Sequence, residues 1–128
     1  MSLKIYETTG IVGSYKHLVA TIVCVSTKLK FKVDPILCGS FDKFVQYLST
    51  DDAQVDMCVC VYKNIYTTIV LTKTTISVRV IYCVNDEIHL VISDVSVDYS
   101  SEHIPDLIKT FNSLTTFILG KKINMKLI

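Results

Sequence analysis

Residues 65–97 read IYTTIVLTKTTISVRVIYCVNDEIHLVISDVSV. Three runs rich in β-branched residues stand out: Ile65 to Thr72, Ile76 to Val84 and Ile88 to Val97. Such side chains fit a pleated, half-buried surface. Only a few polar residues separate the runs, so they join as an antiparallel meander rather than through long crossovers. Asn85-Asp86 is a hairpin turn signal without the usual glycine. Ile76, Val78, Val80, Tyr82 and Val84 share one face of their strand. The last run slips: Ile88, Leu90 and Ile92 have one parity, Val95 and Val97 the other. A bulge near Ser93-Asp94 would restore a common core face.

Working outward, Val55 to Tyr62 adds a fourth strand, turned by Lys63-Asn64. Downstream, Ile104, Leu107, Ile108, Phe111, Leu114, Phe117 and Ile118 form a sustained helical stripe. Ser100 or Ser101 can cap that helix, and Pro105 suits its first turn. Gly120 reads as its C′ residue, with Lys121 and Lys122 facing the negative end of the dipole. Residues 121–128 then read as a flexible tail. Upstream, Phe41, Phe44, Val45 and Leu48 recur at the spacing of one buried face of a short helix. Ser40 is its expected N-cap and Asp42 suits its first turn. Leu29, Phe31 and Val33 alternate with Lys28, Lys30 and Lys32 on a strand ended by Pro35. Leu18 to Thr27 reads as a strand covered on both faces, and Lys4 to Gly13 as a weak one.

These elements predict an α+β fold in one domain spanning residues 1–128. An antiparallel sheet is expected: a meander of about four strands plus two or three N-terminal strands. The short helix and the long C-terminal helix would pack on one face. Val70, Ile81, Cys83 and Val91 would then lie on the opposite face, where apolar side chains sit poorly in water.

The composition agrees with a packed domain of 128 residues that is half hydrophobic, a fifth charged and of net charge +1. Whole-chain disorder is excluded, and a strongly basic nucleic-acid module is disfavoured. The mean hydropathy of +0.44 is high for so small a chain. A short chain leaves much surface wet, which motivates a partner over an apolar face. Ala20 and Ala53 are the only alanines and Arg79 the only arginine. That skew points to an A+T-rich gene and hints at a viral or parasite source. The N-terminus lacks the apolar core and cleavage site of a signal peptide, and no run is long enough to cross a bilayer. The cysteines Cys24, Cys38, Cys58, Cys60 and Cys83 are therefore expected reduced, in an intracellular, cytoplasmic setting.

Motifs that carry chemistry are few. Cys58-Val59-Cys60 on a regular strand would send both thiols to one face, but zinc needs four ligands and no second close pair exists. His103 is crowded by Asp98, Ser100, Ser101 and Glu102, which reads as a helix-capping cluster rather than a catalytic triad. Nucleophile-elbow and phosphate-binding glycine motifs are missing. No catalytic residue, metal, cofactor or small-molecule substrate is therefore assigned. Several tyrosines, Tyr62, Tyr66 and Tyr82 among them, fall on strands, but near-neutral charge and a single arginine argue against base stacking.

Two charged groups remain as candidate partner-binding residues. Lys28, Lys30 and Lys32 form a cationic row, which either contacts an anionic partner or guards an edge strand. Asp42, Asp51, Asp52 and Asp56 form an acidic group. The expected function is a non-enzymatic protein–protein interaction or assembly role through an apolar sheet face or edge strand, with a homodimer as one form. The alternative is a neutralising inhibitor. Phe41-x-x-Phe44-Val45-x-x-Leu48, placed before a meander and a C-terminal helix, resembles the element order of some bacterial immunity proteins. That resemblance, carried by periodicity alone, implies an acidic group that meets a basic toxin. A small enzyme with an unfamiliar site is the third reading.

Overall fold

The structure is a computed structural model that describes the backbone of residues 2–9, 16–24 and 27–126, and the side chains of residues 19–22 and 28–120. Seven strands and two α-helices follow in order: β1 (Ser2–Thr9), β2 (Lys16–Cys24), β3 (Thr27–Val33), α1 (Asp42–Tyr47), β4 (Gln54–Tyr62), β5 (Ile65–Thr72), β6 (Thr75–Val84), β7 (Glu87–Asp98) and α2 (Ile104–Lys126). A single 3-10 turn, Ser101–His103, leads into α2. The class is α+β with antiparallel pairing, as the patterning predicts.

The strands divide between two sheets instead of forming one. β1-β2-β3 make a three-stranded sheet and β4-β5-β6-β7 a four-stranded meander. The reason lies at Pro35, which stops β3. The Asp34 amide just before it donates to the Val59 carbonyl at 2.8 Å, where β4 bulges. One hydrogen bond thus joins β3 to β4 where a ladder would need many.

The turns explain the tight meander. Lys63 and Asn64 both have positive φ, at 48° and 67°, as do Asn85 and Asp86, at 53° and 63°. Two central residues in the left-handed region are the requirement of a type I′ turn, whose twist matches the flanking strands. Asn and Asp tolerate that region and Lys does so at a cost of about 1–2 kcal/mol. The β5–β6 connection uses side chains instead: Thr72 Oγ1 accepts the Thr75 amide at 2.9 Å.

One core joins both sheets and the helices. Leu29, Phe31 and Val33 point into it while Lys28, Lys30 and Lys32 face out. Thr67, Ile69 and Leu71 of β5 and Ile76 and Val78 of β6 line it from the meander. From α2 come Leu107, Phe111, Leu114 and Ile118. Phe111 stacks on Phe41 at 6.0 Å and lies 5.3 Å from Phe44. Aromatic pairs of this kind add about 0.5–1.5 kcal/mol beyond their area burial. Thr115 fixes the approach of α1: its Oγ1 accepts the Phe41 amide at 2.9 Å and donates to the Phe111 carbonyl at 3.0 Å.

Three local expectations change. Phe41, not Ser40, is the N-cap of α1, although Ser40 Oγ still accepts the Asp42 amide at 3.0 Å. Gly120 does not end α2, which runs on to Lys126. No proline follows Gly120, Lys121 and Lys122 favour helix, and a lone glycine costs a helix only about 1 kcal/mol. The tail expected from residue 121 is therefore helical through 126, while 127 and 128 lie outside the described residues. At ~1.5 Å per residue, α2 is about 35 Å long rather than 25 Å. The turn expected near Gly10–Gly13 also lies outside the described residues.

Candidate interaction surface

The most unusual surface is the far half of the β6–β7 hairpin. Near the helices, Ile76 pairs with Val97 and both are buried. Beyond Val78 no residue of β6 is buried. On β7, Ile88 is 61% exposed, Leu90 58%, Val91 52%, Ile92 49% and Val95 42%. Scattered apolar residues on a surface need no explanation, but five large ones on one strand do.

Register shows how they are arrayed. Val95 and Leu90 sit opposite Val78 and Tyr82, on the face that looks toward the core. Val91 and Ile88 sit opposite Ile81 and Cys83, on the outer face. Register shifts between Val80 and Ile81 and between Tyr82 and Cys83 leave Ile92 and His89 as extra residues on β7. One bulge therefore falls beside the expected Ser93-Asp94 position, and a second was not foreseen. Neither returns Leu90 to the core, because the cover ends before reaching it. The hairpin is thus apolar on both faces. Among the described residues β7 is also the edge of its sheet, with no strand beyond it.

Of the usual guards, the edge has its two bulges and the acids Glu87, Asp94 and Asp98, but no lysine or proline. Lysines, prolines and inward-pointing charges normally blunt an edge strand. No lysine or proline lies between Lys73 and Lys109 except Pro105 in α2. Arg79 and Asp94 form an ion pair at 3.2 Å on the outer face, and Ser77 meets Ser96 at 2.7 Å beside it. These polar pairs mark the near half of the outer face. Beyond them Tyr66, Ile81, Cys83, Val91 and Ile88 continue it as apolar surface.

No family model, curated protein or solved structure matches this chain. Its chemistry therefore has to be argued from its own residues. Cys58 and Cys60 do not share a face, contrary to the regular-strand expectation. Val59 is the extra residue between them, so Cys58 pairs with Thr68 and Cys60 with Thr67, which point oppositely on β5. Cys60 is buried and Cys58 half-buried. Burial pushes the Cys58 thiol up, away from the reactive thiolate. Among the described residues no group of three potential ligands could hold a metal ion. His103 Nδ1 accepts the Ser100 amide at 3.1 Å and meets Ser100 Oγ at 3.2 Å. That occupies the ring nitrogen with helix capping. Tyr66 and Tyr82 lie on opposite faces, so they form no stacking row.

The charged candidates separate. Lys28, Lys30 and Lys32 are exposed on one face of β3. Asp42 begins α1, Asp51 and Asp52 follow it, and Asp56 lies on β4, all exposed. Two lysines enter the acidic neighbourhood. Lys43 Nζ donates to the Asp56 carbonyl at 3.0 Å. Lys73 Nζ donates to the Tyr47 carbonyl at 3.0 Å and to that of Thr50, and lies 4.0 Å over the Tyr47 ring. The group is therefore mixed in charge. An open trough runs along α2, beside Ile108, Asn112 and Phe117. No described helix is long and apolar enough to cross a membrane.

Sequence reasoning reached part of this surface. Ile81, Cys83 and Val91 were flagged by parity. Leu90 and Val95 were not, since parity assigns them to the core and gives no sign of where cover stops.

Proposed function

We propose that this chain is a non-enzymatic protein–protein interaction or assembly module that engages another polypeptide along β7 and the adjoining outer face. The observation that carries the reading is the run of exposed aliphatic side chains from Ile88 to Val95 on an edge strand free of lysine and proline. An added strand would take up the free backbone groups of β7, while alternate side chains would supply specificity. Leaving those side chains in water has no benefit to a lone chain, and a long apolar edge is an aggregation hazard.

A photo-reactive residue at position 90, compared with one at exposed Asn112 on α2, tests the reading. Cross-links to protein in concentrated purified solution or in native extract should arise from position 90 and not from 112. Equal yields from both positions, or none from either, would overturn it.

A further inference from the structure

Resting on that reading, we infer that the polypeptide taken up by β7 is β7 of a second copy, paired antiparallel about a two-fold axis near Leu90, so that two meanders join into one eight-stranded sheet. Two observations point to a copy of this chain. First, β7 is apolar on both faces as well as open at its edge. A partner laid on one face would leave Leu90 and Val95, or Ile88 and Val91, still in water. A strand that is itself apolar on both faces covers both, and β7 is such a strand. The pairing would make β7 a central strand, the position that its two-sided apolar pattern suits.

Second, the strand is self-complementary. With Leu90 set against Leu90 of the second copy, Ile88 meets Ile92 and His89 meets Val91, and the two-fold repeats each pair. Glu87 then faces Ser93, and the first like charges to oppose each other are Asp86 and Asp94, at the ends of the paired stretch. An isologous contact requires this kind of match of a surface with itself. Charge works against this pairing at low salt, because the hairpin carries Asp86, Glu87, Asp94 and Asp98 against the single cation Arg79, which Asp94 already pairs. A basic partner would bind those acids more readily at low salt. Two acidic copies held by apolar contact behave in the opposite way. The two bulges also place His89 and Ile92 outside the β6 ladder. The extra residue of a bulge is left unpaired by its partner strand.

The test uses the full chain, reduced, by light scattering on a sizing column over a range of concentrations and salt. The expected mass is about twice the 14.4 kDa of one chain, with dimer favoured as salt screens the acidic hairpins. Leu90→Lys would set two ammonium groups against each other and return the chain to a monomer with an unchanged circular dichroism spectrum. Ile36→Lys, at a residue 75% exposed elsewhere on the surface, should stay dimeric. Wild-type hydrogen exchange gives a readout free of substitutions: the amides of 88–93 should gain protection on concentration. A dimer indifferent to Leu90→Lys, without protection at 88–93, would overturn the inference by placing the contact elsewhere. So would a wild-type monomer at every concentration and salt. In that last case cross-links from position 90 to a different polypeptide in extract would keep the interaction reading, and their absence would end both.

Discussion

The two halves of the β6–β7 hairpin are built from the same residue types and meet different fates. At one end Ile76, Val78 and Val97 are buried in the common core, to which β3 and α2 also contribute. At the other, Ile88, Leu90 and Val91 are half to two-thirds in water. Strand pairing is continuous through both halves. What differs is the layer above, and most stability of a strand comes from what its side chains pack against. The covered half therefore serves folding, and the uncovered half is left for contact.

The largest expected difference comes from truncating one side chain in each half's environment. Phe111→Ala removes a fully buried ring that touches two others, and should cost about 3–5 kcal/mol. Leu90→Ala, measured by urea unfolding in dilute solution, should change stability by no more than about 0.5 kcal/mol. Comparable losses at the two sites would break the contrast. Thr115→Val is the next step down. It keeps the shape but strips the Phe41 amide of its acceptor at the seam of α1 and α2, at about 1–3 kcal/mol. A loss below that range would mean water replaces the hydroxyl.

Alkaline pH sharpens the same contrast. Burial raises the hydroxyls of Tyr47 and Tyr99 above their ordinary value near 10, aided by Asp52 beside Tyr47 and by Tyr47 beside Tyr99. Their hydroxyls donate to the carbonyls of Ala53 and Thr72. The folded chain thus holds these protons more tightly than the unfolded one. That stabilisation is whole below pH 10 and is lost as pH climbs through the raised folded values. Urea midpoints should stay level toward pH 9 and fall above 10. Tyr99→Phe should lower the midpoint at neutral pH and flatten the alkaline fall. Parallel curves for the two proteins would show that other groups govern it.

The legible part of the fold was the part fixed by local pattern. Period-two alternation placed the buried faces of β3 and of the near half of β6, and the stripe from Ile104 to Ile118 placed α2 on the core. The turns at Lys63-Asn64 and Asn85-Asp86 were readable from short polar breaks between apolar runs. What escaped was set by distant partners. The division into two sheets depends on where Asp34 meets the bulge at Val59. The split of Cys58 from Cys60 follows from that same bulge, which no residue type announces. The exposure of Leu90 follows from where the common core ends along the hairpin. For the candidate surface, parity gave the outer face but not the limit of the core.

The far end of α2 offers the smallest effect and a check on the same idea. Past Ile118 the helix carries no described buried residue: Leu119 is 56% exposed and Gly120 is exposed. A Cβ at Gly120 would meet nothing within 4 Å. Where nothing packs, intrinsic propensity should decide helix stability. Gly120→Ala should then stabilise the chain by about 0.5–1 kcal/mol and slow amide exchange over residues 119–126. A neutral or destabilising result, with exchange unchanged, would mean this turn is held by contacts rather than by propensity.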